Sequence, residues 1–405
     1  MSPKIQCRDG REQKAVRLWR NSHISEPTIV LYLEWVRRYH VYCRQYGLNE
    51  LSELTETGAS RFGQAYQGPR TKGPLRENSR FCARNALHAW AWALRTFGIG
   101  VPQWRQKEPA PSPSPLIEAY CHYRISVCGI AQATLCRDIK TANAFLSSLR
   151  VHGKAVSRVA AADIDGFIVE ISSRVSRSTT ADTCSSLRSF FRFLQATGRV
   201  HRDLAACVTA PRVRRPERPP RALPWTEVRR ILQAISRSRP PGKRDFAMLL
   251  VMATYGLGAA EVLELHLDDV NWNTQVLRVR RPKTGVKIDL PLLPAVGRAL
   301  AAYLKGERPN HAGTRRIFLS RGIPHEPITS GAIRHRIRHY AQRAGVTADV
   351  LGAHIFRHSH ASRQIDSGAD LKVVSDILGH RRPSSTSLYV RVAIRRLRMV
   401  ALPVP

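Results

Sequence analysis

The sequence predicts a mainly α, multidomain protein with one small β-hairpin or sheet in its C-terminal half, and three observations carry that prediction. Apolar residues recur at spacings of three and four, with glycine at the end of each run, which is the pattern of amphipathic helices. Two proline-rich stretches, Glu108–Leu116 (EPAPSPSPL) and Pro211–Pro224 (PRVRRPERPPRALP), interrupt the helical pattern where a chain of 405 residues should divide. One stretch alone, TQVLRVRRPKTGVKIDLPL, is rich in β-branched residues on both sides of a turn at Pro282–Gly285. The predicted organisation is a helical module at 1–107, a second at 116–203, an Arg/Pro-rich linker at 204–222 and an α+β domain at 223–400.

In the first module, EPTIVLYLEWVRRYHVYCRQYG places Leu31, Trp35, Tyr39 and Cys43 four apart, with Gly47 as a stop. NSRFCARNALHAWAWALRTFG does the same with Leu87, Trp90, Leu94 and Gly98. Such aromatics could stack on bases, but this spacing favours a helical core. Past the Pro/Ser linker the plan recurs. Val156-Ser157-Arg158-Val159 with Phe167 matches Leu51-Ser52-Glu53-Leu54 with Phe62, and Leu187, Phe190, Leu194 and Gly198 match Leu87, Trp90, Leu94 and Gly98. Two helical modules of one type in tandem are therefore expected. In the C-terminal domain, WTEVRRILQAISRS puts Val228, Ile231, Leu232 and Ile235 on one stripe with Thr226 as its expected cap. RDFAMLLVMATYG, apolar nearly all round, reads as a buried helix ending at Gly256.

The formal net charge is +35, from 65 Lys and Arg against 30 Asp and Glu, so a polyanionic partner is expected. No apolar run is long enough to span a bilayer and no basic leader with an apolar core opens the chain, which favours nucleic acid over membrane lipid. Eight cysteines without a CxxC pair indicate neither a zinc ribbon nor a disulfide framework, and a reducing cytoplasm is the expected setting. Arg212, Arg214, Arg215, Arg218 and Arg221 lie among prolines in the second linker, a stiff basic strap suited to phosphates as well as to spanning two domains.

The chemistry is concentrated between His354 and Tyr389. His354 and Arg357, three apart on one helix, present imidazole and guanidinium side by side. DLKVVSDILGH follows as a second helix with Leu371, Val374 and Leu378 on its stripe, capped by Gly379 and followed at once by His380. Tyr389 comes after the polar loop RRPSST, on an expected further helix. Arginine offers a rigid fork for phosphate oxygens, histidine a proton carrier near neutral pH and tyrosine a phenolic nucleophile, which together suit attack on a phosphodiester. The histidines 354, 358 and 360 could suggest a metal site, but no carboxylate or cysteine is placed with them.

The order HxxRH, LGH and Tyr resembles the second signature box of the tyrosine recombinases, the phage integrase family, with His354, Arg357, His380 and Tyr389 matching position by position. The resemblance implies helical DNA-binding modules before an α+β catalytic domain acting on double-stranded DNA, with 116–203 as the core-binding module. It implies a bacterial, nucleoid-associated protein working as a homo- or hetero-oligomer, a tetramer on DNA. It also implies that Tyr389 forms a 3′-phosphotyrosyl bond while Arg357 and His380 hold the phosphate. His354 would assist proton transfer, Lys283 in the hairpin turn would protonate the leaving 5′ oxygen, and neither metal nor nucleotide cofactor is required. One departure stands out. The family's first box reads TGLRxxE, and here it is YGLGAAE: Gly256, Leu257 and Glu261 match, but Gly258 stands where the first catalytic arginine belongs. Three outcomes are open: a degenerate pocket that Gly258→Arg would restore, a non-catalytic DNA-binding partner subunit, or an active enzyme in which another arginine, Arg280 or Arg281, takes the place.

Overall fold

Aromatic-rich helical stripes fold here into two helical modules, and a third region wraps helices around a small sheet. The computed structural model describes residues 5–66, 77–105, 114–212, 222–282, 285–310, 313–347 and 351–379. The chain divides into two compact units, Lys107–Arg218 and the combination of Met1–Gln106 with Pro219–Pro405.

The N-terminal module consists of four helices, α1 (Gly10–Asn21), α2 (Glu26–Gln45), α3 (Glu56–Ala65) and α4 (Glu77–Thr96), and the unit Lys107–Arg218 holds α5 (Pro115–Ser126), α6 (Gln132–Val151), α7 (Ala161–Arg174), α8 (Arg177–Ala196) and α9 (Leu204–Cys207). The helices α1 to α4 run 12, 20, 10 and 20 residues, and α5 to α8 run 12, 20, 14 and 20. In both modules the two long helices pack on each other around the predicted residues: Leu87, Trp90 and Leu94 in one, Leu187, Phe190 and Leu194 in the other, all buried. Leu31 departs from its expected stripe and is exposed, because Ile29, Leu33 and Val36 turn inward with Trp35, Tyr39 and Cys43. Residues Leu204, Ala205 and Val208 pack into the core of the second module, so the stretch from 204 to 208 is helix and core rather than strap. Arg124 and Asp138 form a buried ion pair at 2.6 Å that ties α5 to α6.

The C-terminal region starts with α10 (Trp225–Gln233), whose Val228, Ile231 and Leu232 are buried as the stripe requires. Thr226 is not its cap: Pro224 occupies that position and Thr226 lies inside the first turn. The apolar helix α11 (Gly242–Tyr255) runs through the core and leads into α12 (Ala259–Leu263). The predicted hairpin is β2 (Val276–Arg280) paired antiparallel with β3 (Lys287–Pro291), and a short β1 (Val270–Asn271), which no sequence pattern announced, extends it to a three-stranded sheet in the order β1-β2-β3. Then come α13 (Pro294–Gly306), α14 (Ser330–Arg343), α15 (Ala353–Asp366) and α16 (Leu371–Leu378). Among the described residues no helix is long and apolar enough to cross a membrane.

Candidate active site

The site is assembled around Glu261, in the first turn of α12. Its position follows from Gly256, which ends α11 in the left-handed region at φ 63°. A Cβ there would also meet His360 Cδ2 at 2.8 Å and Leu378 Cδ2 at 3.0 Å, so the turn closes tightly on α15 and α16 and only glycine suits it. Five residues later Glu261 accepts the Gly258 N–H at 2.7 Å through Oε2, which fixes the start of α12.

Two arginines converge on this carboxylate. Arg357, from α15, donates through Nη1 to Glu261 Oε2 at 2.9 Å and to the Gly256 carbonyl at 3.2 Å, and its Nη2 reaches the Leu378 carbonyl at the end of α16. Arg281, at the end of β2, donates through Nη1 to Glu261 Oε1 at 3.0 Å and to the same Leu378 carbonyl at 2.6 Å, and its Nη2 reaches the Ile377 carbonyl. The Arg281 and Glu261 side chains are 6% and 10% exposed and that of Arg357 13%, so all three are largely withdrawn from water. Burial pushes the Arg281 guanidinium pKa down against the pull of Glu261, and neighbouring Arg357 adds to the lowering. Arg281 nonetheless stays cationic at any ordinary pH.

His354 is exposed on α15, three residues before Arg357. Its ring centroid lies 6.2 Å from that of His358. His360 belongs to the core instead: it is buried, with Nδ1 3.2 Å from the Ala253 carbonyl, and burial pushes its pKa down to about 4. The three histidines thus do not converge, and no cluster of metal-ligating side chains occurs among the described residues. Gly258 is in extended backbone at φ −77°, and a Cβ there would make only ordinary contacts, with Glu261 Oε2 at 3.5 Å and Arg357 Nη1 at 3.8 Å. The glycine is therefore not required by the backbone. Arg212 is exposed at the end of the second module. Lys283, His380, Tyr389, Arg214, Arg215, Arg218 and Arg221 lie outside the described residues.

Sequence reasoning gave Glu261 only as a motif match and offered Arg281 on equal terms with Arg280. The strand alternation could have separated them: Leu277 and Val279 are buried and Arg278 and Arg280 exposed, so the next inward side chain is Arg281.

The GLxxxE helix start and the HxxRH helix that build this pocket lie in a stretch that matches a known family. Residues 221–396 match the model of the phage integrase family, and residues 117–198 match the phage integrase N-terminal SAM-like domain. A chain of Sinorhizobium fredii (strain NBRC 101917 / NGR234) named for an integrase/recombinase, y4rF, is 34% identical over 81% of this chain and 78% of its own length. This chain belongs to the phage integrase family of tyrosine recombinases. Tyrosine recombinase XerD of Yersinia pestis is 29% identical over 71% of this chain and 96% of its own. Among solved structures, the fold of this family member resembles the XerH site-specific recombinase bound to its difH substrate, with a TM-score of 0.52 and 15% identity over 84% of this chain and 93% of that one. It also resembles the lambda integrase dimer bound to a COC′ core site, with a TM-score of 0.52 and 18% identity over 80% and 91% of the two chains.

Proposed function

We propose that this recombinase carries out site-specific DNA breakage and rejoining, with Tyr389 as the nucleophile. The observation that carries the reading is the buried pairing of Arg357 with Glu261, which holds a guanidinium rigidly beside the end of α16, two residues before His380. A preorganised donor of this kind stabilises charge that develops on a phosphate in the transition state without reorganising during the reaction. The Tyr389 hydroxyl attacks the phosphorus, a P–O bond to tyrosine forms, and the bond to the 5′ oxygen breaks. Lys283 gives that oxygen its proton. His354 assists the removal of the tyrosine proton, and His380 joins Arg357 on the phosphate. Because the covalent link conserves the bond energy, a 5′ hydroxyl from another strand can reverse the step, and no metal or nucleotide enters. The protein works as a tetramer on double-stranded DNA, and the +35 charge supports a binding mode dominated by phosphate contacts.

A second reading, a non-catalytic DNA-binding partner of an active recombinase, is favoured by a single observation: position 258 carries glycine with no backbone need for it. One experiment separates the two. Purified protein is incubated with nicked suicide substrates from the ends of its own element, and covalent protein–DNA adducts are resolved on denaturing gels. An adduct that vanishes with Tyr389→Phe while DNA affinity holds supports the enzyme. Binding without any adduct supports the partner subunit, and an adduct surviving Tyr389→Phe shows the nucleophile to be another residue.

A further inference from the structure

Two guanidiniums share the Glu261 carboxylate, yet the family's sequence pattern accounts for only Arg357. We infer that Arg281 supplies the second guanidinium on the scissile phosphate, standing in from the hairpin for the arginine missing at position 258. The inference rests on the strand-exchange reading above and deepens it.

Proximity is the first support. Arg281 and Arg357 hold opposite oxygens of one carboxylate, at 3.0 and 2.9 Å, and both donate to the single carbonyl oxygen of Leu378. Two groups that reach one oxygen can also bracket one phosphate. Charge is the second. Among the described residues a largely buried pair of cations faces one carboxylate, and the other acceptors that offset the surplus, the Gly256 carbonyl and the carbonyl end of α16, carry only partial charge. A buried unpaired charge is costly, and a phosphodiester would supply the missing negative charge. The third support is the hairpin. The Arg281 N–H donates to the Val286 carbonyl at 2.9 Å and the Gly285 N–H donates to the Arg281 carbonyl at 2.8 Å, so the backbone of Arg281 is fixed on both sides and its fork is aimed by the sheet. Arg280, on the exposed face, has no such placement. The competing role for Arg281 is a tie between the hairpin and α16, with no contact to DNA.

The test uses the full chain and two versions of the suicide substrate. One carries the native scissile phosphate, and the other carries a methylphosphonate at that position, which replaces a charged oxygen with a methyl group. A guanidinium that acts on the phosphate charge becomes dispensable when that charge is removed, whereas a structural tie does not. With native phosphate, Arg281→Gln should form adduct on the order of 100- to 1000-fold more slowly than the parent, and with the methylphosphonate it should come within about threefold. Gly258→Arg alone should bring little gain, since it adds a third guanidinium beside Arg357, but Gly258→Arg combined with Arg281→Gln should recover about tenfold or more on the native substrate. Thermal melts establish that each variant is folded. Should Arg281→Gln fail to fold, Arg281→Lys is read the same way, its deficit shrinking on the neutral phosphate. Unchanged activity in the Arg281 variant, or an equal loss on both substrates, overturns the inference and leaves the strand-exchange reading intact. A parent chain that forms no adduct on either substrate overturns that reading itself.

Discussion

His360 shows at the residue scale how the wall of the pocket differs from its chemistry. In the sequence it is one of three histidines in HIFRHSH, and nothing local separates it from His354. Burial does: His354 is exposed on α15, while His360 turns into the core against Gly256 and Ala253. Its Nδ1–H donates to the Ala253 carbonyl, and Nε2 has no partner among the described residues. Burial disfavours the charged form, with Arg363 and Arg357 adding repulsion, and the pKa falls from 6.5 to about 4. The unfolded chain therefore takes up this proton first as pH falls. Stability is full above about pH 6.5, declines down to about pH 4 and is level with respect to this group below that. The decline is at most about 3 kcal/mol. His360→Gln, which can keep an N–H on the Ala253 carbonyl, should flatten the fall in urea midpoint between pH 7 and pH 4.5. Identical pH slopes in parent and variant would show that the acid sensitivity lies elsewhere, in the carboxylates.

Elements were legible where one face is buried and the period is clean. The aromatic stripes of α4 and α8, the amphipathic α10, the buried α11 and the β2–β3 hairpin all follow from spacing alone. What spacing does not hold was missed. β1 is two residues long and exists because β2 offers it a free edge, and α9 is one turn held by the core of its module. Thr226 had the chemistry of a cap but not the backbone position. Leu31 illustrates that a four-residue spacing drifts around a helix, so one member of a long stripe can end on the outside. The C-terminal end of α16 joins legible to hidden. Gly379 was expected as a cap and is left-handed at φ 66°, but its second function is visible only in three dimensions. A Cβ at 379 would fall inside the Arg281 guanidinium, 2.1 Å from Nη1 and 2.4 Å from its central carbon. Gly379→Ala should thus cost about 1–2 kcal/mol from the backbone alone, and it should also displace Arg281 from Glu261. Urea melts measure the first effect. Adduct formation measures the second, and a variant as stable and as active as the parent would show that α16 ends differently in solution.

At the scale of the molecule, composition foretold the partner class better than the contacts between parts. A charge of +35 is visible in any count, and with 30 acidic residues to share, many of the 65 basic ones must face solvent or DNA. The separation of parts was harder to read. A Pro/Ser stretch from Glu108 to Leu116 suggests that residues 1–107 could be removed without consequence for the C-terminal domain. Long-range packing argues for a consequence. Ile323, from the loop before α14, is 7% exposed and belongs to the core of the N-terminal module. Beside it Trp92 of α4 meets His325 edge to face at 5.7 Å, and burial pushes the His325 pKa down. Such contacts join sequence positions more than two hundred residues apart, which no periodicity can reveal. Deleting residues 1–107 should leave a folded chain, because the main core around α11 draws on residues from 223 onward. The exposed Ile323 should lower its stability by about 1–2 kcal/mol, and Ile323→Ser in the truncated chain should restore solubility that the truncation alone loses. Sedimentation and urea melts of the two truncated proteins decide the matter: equal solubility and a midpoint matching the full chain would mean that the two regions do not pack in solution.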